Sequence, residues 1–498
     1  MTDSTVIAVD LGATSGRVIS ATVSPNRLQL GLTSRFPNNP VTVWAGQAPA
    51  MHWNLLELYR EVVDGLRVAF REAQRAGGSG LGSIASLGVD SWAVDYGRMR
   101  GGALAGIPYH YRDARTAAGV EAVHGAISPA ELYAVNGLQF LPFNTVYQLA
   151  ADRDAGLLDG IDEALLVPDL INYWLTGERR AERTNASTTG LLDIGTGRWS
   201  DALLTRLRLP ASLLPPLIAP GETVGSLLPS VRDELALGLG AGAASALSTV
   251  PVVSVGSHDT ASAVVAVPST DRNIAYISSG TWSLVGLELD SPVLTEASRA
   301  ANFTNEGGVD GRIRFLRNVM GMWLISECLR EWEKAGVSAD LPTLLAQAEA
   351  LPGGSVFDPD HPDLLPAGPM TERIAARCAE AGQRIPSNPA EYVRSIVESL
   401  AEAYHSTIQQ AASLSGTSVE AIHVVGGGSQ NALLCQLTAD RTGLPVIAGP
   451  VEATAIGNVL VQARAAGVIS GDLESLRALV AASVPLTRYT PRRPSHPR

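Results

Sequence analysis

The chain opens on an apolar run, Val6-Ile7-Ala8-Val9, that ends in Asp10. The turn-rich Gly12-Ala13-Thr14-Ser15-Gly16 follows, and then an alternating, β-branched stretch over 17–23. Strand, glycine turn, strand predicts a β-hairpin, whereas a dinucleotide fold would turn from strand into helix. Over residues 54–76 the apolar positions Leu55, Leu58, Tyr59, Val62, Leu66 and Phe70 recur at helical spacing. Asn54 and Glu57 form a capping box for that helix, and Gly77-Gly78 ends it. A strand follows at 84–89 and leads into Asp90-Ser91-Trp92.

The second half repeats this grammar. An apolar run over 273–278 reaches Ser279-Gly280-Thr281 and continues as a second strand over 282–287. A repeat at the spacing of a large domain predicts two related domains. Asn388-Pro389 caps a long helix that ends near Gly416. Then come a strand over 421–425, the triplet Gly426-Gly427-Gly428, a helix capped by Ser429, a strand over 445–448 and a helix over about 452–466. Strands alternating with helices imply an α/β protein. The domains are expected at 1–248 and 249–490, with a frayed tail at 491–498.

Composition narrows the chemistry. The 498 residues are 46% hydrophobic and carry a net charge of −12, which argues against a nucleic-acid partner. One lysine, Lys334, stands among 37 basic residues, so P-loop, Schiff-base and protein-kinase chemistry are excluded. Cys328, Cys378 and Cys435 are far apart and show no metal spacing, as in a reducing compartment. The start lacks a basic, then apolar, leader. The uncharged stretch 235–257 is broken by four glycines, four serines and Pro251, so no membrane helix is expected. The protein is expected to be cytoplasmic, without a membrane partner, as a monomer or homodimer.

Five clusters could carry chemistry. In the first hairpin, backbone amides at Ala13 to Gly16, the hydroxyls of Thr14 and Ser15, and Arg17 suit phosphate, and Asp10 could hold Mg²⁺. An ordinary hairpin explains the same residues. Ser279-Gly280-Thr281 is a second small hairpin that gains meaning beside the first. Gly426-Gly427-Gly428 lets a nucleotide approach the backbone, or lets helix and strand pack closely. In Ser257-His258-Asp259-Thr260, Asp259 is placed as a general base or as a helix N-cap. Side chains adjacent in an extended segment point apart, so His258 is read as a substrate hydrogen-bonder rather than a relay. Asp90-Ser91-Trp92-Ala93-Val94-Asp95-Tyr96-Gly97 mixes carboxylates and aromatics as a sugar pocket does, and its two Asp are expected to be buried only if paired.

Together these residues resemble the FGGY carbohydrate kinases of the sugar-kinase and actin-like ATPase superfamily. The resemblance runs in order through residues 10–17, Asp90-Ser91-Trp92, Tyr111-Arg112-Asp113-Ala114-Arg115-Thr116, Pro168-Asp169-Leu170, Asn185-Ala186-Ser187-Thr188-Thr189 and 256–260. It continues through Ser279-Gly280-Thr281-Trp282-Ser283, Asn302-Phe303-Thr304-Asn305-Glu306-Gly307-Gly308, Asn318-Val319-Met320-Gly321 and 426–431. It implies two actin-like (ribonuclease H-like) ATPase domains with a cleft between them, and transfer of phosphate from ATP to O1 of L-rhamnulose. Asp259 would be the base, and Trp92, Ala93, His258, Thr260 and Asn318 would meet the sugar. Residues Ala13, Thr14, Ser15, Gly16, Arg17, Thr281, Ser326 and Gly427 would meet ATP, with Asp10 near Mg²⁺. Position 93 is alanine where similar kinases have glycine, and Ser326 stands where the family can carry glutamine. Two other readings remain at this point: a kinase for L-fuculose, xylulose or another polyol, and an actin-like nucleotide switch, which needs no base at 259.

Overall fold

A computed structural model describes residues 3–46, 48–75, 80–337 and 340–492. The glycines expected to end the first long helix, and most of the expected tail, lie outside the described residues. The chain divides into two compact units. The first comprises Met1–Ala266, Leu289–Arg314 and Ala453–Ser483; the second comprises Val267–Glu288, Phe315–Glu452 and Val484–Arg498.

The first unit is built on β1 (Ser4–Leu11), β2 (Ser15–Ser24), β3 (Arg27–Pro37), β4 (Ile84–Ser91), β5 (Thr223–Ser226) and β6 (Pro251–Val253). Their order is β3-β2-β1-β4-β6-β5. β1 is antiparallel to β2 and parallel to β4, β6 is parallel to β4, and β5 closes the edge antiparallel. Residues 6–11 of β1 are all buried, which is why the run reads as continuously apolar instead of alternating. The helix Leu55–Arg75 packs on β2 and β3, and the helix Ala453–Ala465 packs on β1 and β4.

The second unit uses β7 (Ile274–Ser279), β8 (Trp282–Leu289), β9 (Ile313–Met320), β10 (Ala421–Val425), β11 (Val446–Ala448) and β12 (Thr487–Tyr489). Their order is β9-β8-β7-β10-β11-β12. β7 is antiparallel to β8 and parallel to β10, β11 is parallel to β10, and β12 closes the edge antiparallel. The repeated hairpin in the sequence is therefore the visible part of a repeated sheet.

Two local expectations are corrected. The helix after the glycine triplet, Ala432–Thr442, is capped by Asn431, whose Oδ1 accepts from Leu434 N at 3.0 Å. Ser429 instead donates back to Gly426 O at 2.7 Å, inside the turn. Residues 249–266, expected in the second domain, belong to the first unit, because β6 completes its sheet and the helix Asp259–Val265 packs against Ala453–Ala465.

Candidate active site

In the first unit, three carboxylates converge: Asp10 and Asp90 at the ends of β1 and β4, and Asp259 at the start of the helix Asp259–Val265. Register pairs Asp10 with Arg17 across the hairpin and with Asp90 on the parallel side. Paired residues on neighbouring strands share a face, so Arg17, Asp10 and Asp90 form one row. Arg17 meets Asp10 at 3.0 Å. The hairpin turn is closed by Gly12 N donating to Ser15 O, and Asn38 clamps it through Thr14 O and Gly12 O. Thr14 is exposed and Ala13 and Ser15 are half-buried, while Gly16 is packed beneath the Phe36 ring.

Asp90 is fully buried. Its Oδ2 accepts from Asn458 at 2.5 Å, and its Oδ1 finds no donor among the described residues. Burial, then the neighbouring Asp10, pushes its pKa well above the ordinary carboxylate value.

Asp259 is the first residue of its short helix, with His258 as N-cap. That helix lies very close to Ala453–Ala465: a Cβ on Gly457 would sit 1.8 Å from Ser262 O, so only glycine permits the approach. Asp259 Oδ1 accepts from Thr260 N at 2.6 Å and from Thr260 Oγ1 at 3.2 Å. Among the described residues no donor reaches Oδ2, and the side chain is 30% exposed.

His258 and Asp259 do not point apart as expected. His258 Nε2 lies 3.4 Å from Asp259 Oδ1, because the chain turns into a helix here instead of staying extended. The other ring nitrogen, Nδ1, faces Arg314 at 3.0 Å and Glu306 at 3.3 Å, and those two form a buried ion pair at 3.1 Å. Burial alone would raise the Glu306 pKa, but Arg314 and His258 together hold it below the ordinary value. Beside them, Glu182 accepts from Thr184 N and Oγ1, Asn185 N, and Ser257 N and Oγ, which anchors the segment entering His258. Glu182, Glu306 and Arg314 were not singled out from the sequence as site residues. The signal for Glu306 was the Asn302–Gly308 motif, but nothing local links it to His258.

Trp92 sits in this same region, its N–H donating to Leu11 O, while Ser91 N donates to Ser257 O. Ala93 is half-buried beside it. Both carboxylates of this motif are buried, and hydrogen bonds rather than ion pairs hold them. Asp90 uses Asn458; Asp95 accepts from Trp53, Trp92, Gln148 and Tyr111 N.

The second unit gathers the other candidates. The Gly280-Thr281 turn receives Met322 N and Trp323 N on its carbonyls, at 3.1 and 3.2 Å, which fixes it to the start of the helix Trp323–Lys334. Ser326 lies half-buried in that first turn. The glycine triplet lies against the end of β7: a Cβ on Gly428 would come within 2.0 Å of Ser279 Oγ, whereas one on Gly427 would meet nothing within 4 Å. The triplet thus has two glycines packed on Ser279, Gly426 and Gly428, and one between them open to an incoming ligand, a shape that fits a nucleotide. Asn318 is half-buried on β9.

Residues 5–266 match the N-terminal domain, and residues 275–466 the C-terminal domain, of the FGGY family of carbohydrate kinases. The chain belongs to the FGGY family. As an FGGY carbohydrate kinase it is an enzyme with a two-domain, actin-like α/β fold, and ATP is a substrate. It is 40% identical to a rhamnulokinase of Bacteroides thetaiotaomicron, over 97% of this chain and 95% of that protein. It is also 40% identical to a rhamnulokinase of Pectobacterium atrosepticum, over 98% and 93% respectively. Among solved structures, a gluconate kinase from Lactobacillus acidophilus superposes with a TM-score of 0.77 at 16% identity, covering 99% of this chain and 94% of that one. Plasmodium falciparum glycerol kinase with ADP gives 0.74 at 13% identity, over 98% and 95%. No helix among the described residues is long and apolar enough to cross a membrane.

Proposed function

We propose that this FGGY kinase transfers the γ-phosphoryl group of ATP to O1 of L-rhamnulose, giving L-rhamnulose 1-phosphate. The observation that carries the chemistry is the state of Asp259. Donors from Thr260 occupy Oδ1, which leaves Oδ2 to accept the proton of the attacking hydroxyl. His258 and Thr260 are buried beside it and orient the sugar hydroxyls, with Trp92 and Ala93 lining the pocket; within the second unit, Asn318 suits a sugar hydroxyl. The choice of sugar rests on likeness to the two rhamnulokinases over nearly the whole chain.

In the first unit the backbone amides of Ala13 to Gly16 and the Arg17 guanidinium suit the phosphates of ATP; in the second unit Thr281, Ser326 and Gly427 suit a nucleotide. Mg²⁺ fits at Asp10. That ion keeps several waters and takes only one or two carboxylates beside substrate phosphates. Asp10, its register neighbour Asp90 and the orphaned Asp90 Oδ1 provide that set. Among the described residues no group of three metal-ligating side chains competes. When bound, the ion neutralises charge on the transferred phosphoryl group. Backbone amides, Arg17 and fixed geometry do the work that lysine does elsewhere, so a chain with one lysine can run this reaction. ATP as donor and three unpaired buried cysteines suit a cytoplasmic reaction.

The test is ADP release with Mg·ATP over a panel of ketoses and polyols. Turnover strongest on L-rhamnulose supports the reading. Turnover strongest on another ketose would keep the kinase and point to the extra methyl group of Ala93 as the selecting feature.

A further inference from the structure

We infer that Asp95 is the positioning residue of the sugar pocket, holding Trp92 and the Trp53 behind it in one orientation. The inference rests on the sugar-kinase reading above.

Its basis is the four-residue turn Trp92 to Asp95, where two unusual features coincide. Asp95 is 1% exposed and, among the described residues, makes no ion pair. Arg115 donates instead to Gln148 and Asp152. One oxygen of Asp95, Oδ2, accepts from Trp53 Nε1 at 2.6 Å, Trp92 Nε1 at 3.1 Å and Tyr111 N at 3.2 Å. The other, Oδ1, accepts from Gln148 Nε2 at 2.9 Å. Burial outweighs these bonds and pushes the carboxyl up to about 6. A buried charge without a counter-ion is an expensive way to build a core. A carboxylate can, however, bind several convergent donors at once, more strongly than a neutral acceptor.

The second feature is Val94, which has φ +68°. A β-branched residue in the left-handed region is strained, and the surroundings must hold it there. They do so through Thr145 Oγ1 donating to Val94 O at 2.7 Å, Asp95 N donating to Ala93 O, and Val167 N donating to Asp95 O. The turn carries the chain so that Ala93 faces away from the core while Trp92 and Asp95 return to it: Ala93 is half-buried, its neighbours buried.

What Asp95 fixes is a wall of rings. Trp53 lies 4.2 Å from Trp92 and 4.1 Å from His110, centroid to centroid, and His110 stacks on Tyr111 at 4.5 Å. Trp92 is tied by backbone hydrogen bond to Leu11, next to the phosphate hairpin, and by way of Ser91 to the residue preceding His258. The residue whose ring Asp95 orients is thus joined through its main chain to both reacting segments, and the apolar C–H face of a sugar would meet the exposed edge of that ring. A wall set in advance lowers the ordering cost of binding.

The experiment compares Asp95→Leu, Asp95→Asn and Trp53→Phe in the full-length enzyme, with kinetics for sugar and ATP separately and tryptophan emission. Asp95→Leu removes every acceptor, and the sugar KM is expected to rise about tenfold or more, as for loss of charge-assisted bonds. The ATP KM should stay within about twofold, and emission should shift as both indoles lose their partner. Asp95→Asn retains one acceptor oxygen and should fall between. Should Asp95→Leu not fold, Trp53→Phe carries the test, since it keeps the ring and deletes one bond; a rise of about threefold in sugar KM alone is expected. A sugar KM unchanged in a folded variant, or an ATP KM rising in step with it, overturns the inference while leaving the kinase intact. A wild-type enzyme inactive on every ketose overturns the kinase reading itself, and this inference with it.

Discussion

Replacing Arg314 with methionine tests whether the ion pair behind His258 is an integral part of the site. Arg314 is fully buried, donates to Gly307 O at 2.9 Å, and pairs with Glu306 while touching His258 Nδ1. Methionine fills the volume but leaves Glu306 charged and buried with only His258 and Thr304 to meet it. Stranding one member of a buried pair costs about 3–5 kcal/mol, and at about 1–2 °C per kcal/mol for a unit of this size the melting temperature should fall by roughly 3–10 °C. The pH dependence has a definite sign. In the native protein the Glu306 pKa is depressed, so its contribution is present above the unfolded value and is lost as pH falls through the folded one. In the variant burial dominates and the pKa rises, so the charged form becomes a liability that protonation relieves. The gap between the two proteins should therefore be widest near pH 8 and narrow toward about pH 5. Differential scanning calorimetry at both pH values measures it, with Glu306→Gln/Arg314→Met as the control. The double variant buries no charge and should recover more than half of the loss. A gap independent of pH, or a double variant no better than the single one, refutes the reasoning.

The glycine triplet separates packing from ligand access: Gly428→Ala collides with Ser279 Oγ and should lower stability by about 1–3 kcal/mol. Gly427→Ala meets nothing in the protein, and should melt like the parent while raising the ATP KM. Asp90→Asn should stabilise the ligand-free protein by on the order of 1–3 kcal/mol at pH 8 while weakening Mg²⁺ binding, measured by titration calorimetry with Mn²⁺. Because the Asp90 pKa is raised, mainly by burial, the wild type loses stability as pH rises through it. The advantage of Asp90→Asn should accordingly shrink toward pH 4–5, where wild-type Asp90 is protonated.

Much of the fold was legible because its signals are local. The hairpins at Gly12 and Gly280 and the buried strands show as apolar runs punctuated by glycine, and the Asn388 cap of the long helix was read correctly, with Glu391 N donating to its side chain. The Ser429 cap was misread because two side chains of equal capping ability, Ser429 and Asn431, stand two residues apart, and only the short turn over Gly427–Gln430 decides between them. The position of candidate carboxylates was legible at strand ends, as at Asp10 and Asp90. The site was not legible where distant segments meet. Arg314 and Glu306 reach His258 across about fifty residues of chain, and Trp53 reaches Asp95 from another element altogether. A lone tryptophan beside an exposed asparagine carries no periodicity that would mark it as part of a pocket. The position of His258 relative to Asp259 depended on whether the chain was extended or helical at that residue, and a seven-residue helix is too short to declare itself by pattern.

The most direct measurement compares L-rhamnulose-dependent ADP release by the wild type and Asp259→Asn, with ATP binding followed on the same samples. Loss of a positioned general base costs about 10²–10⁴ in rate, so the variant should bind ATP like the parent and turn over at least a hundredfold more slowly. Equal turnover by the two proteins, or no sugar-stimulated release by the wild type despite ATP binding, would contradict the account.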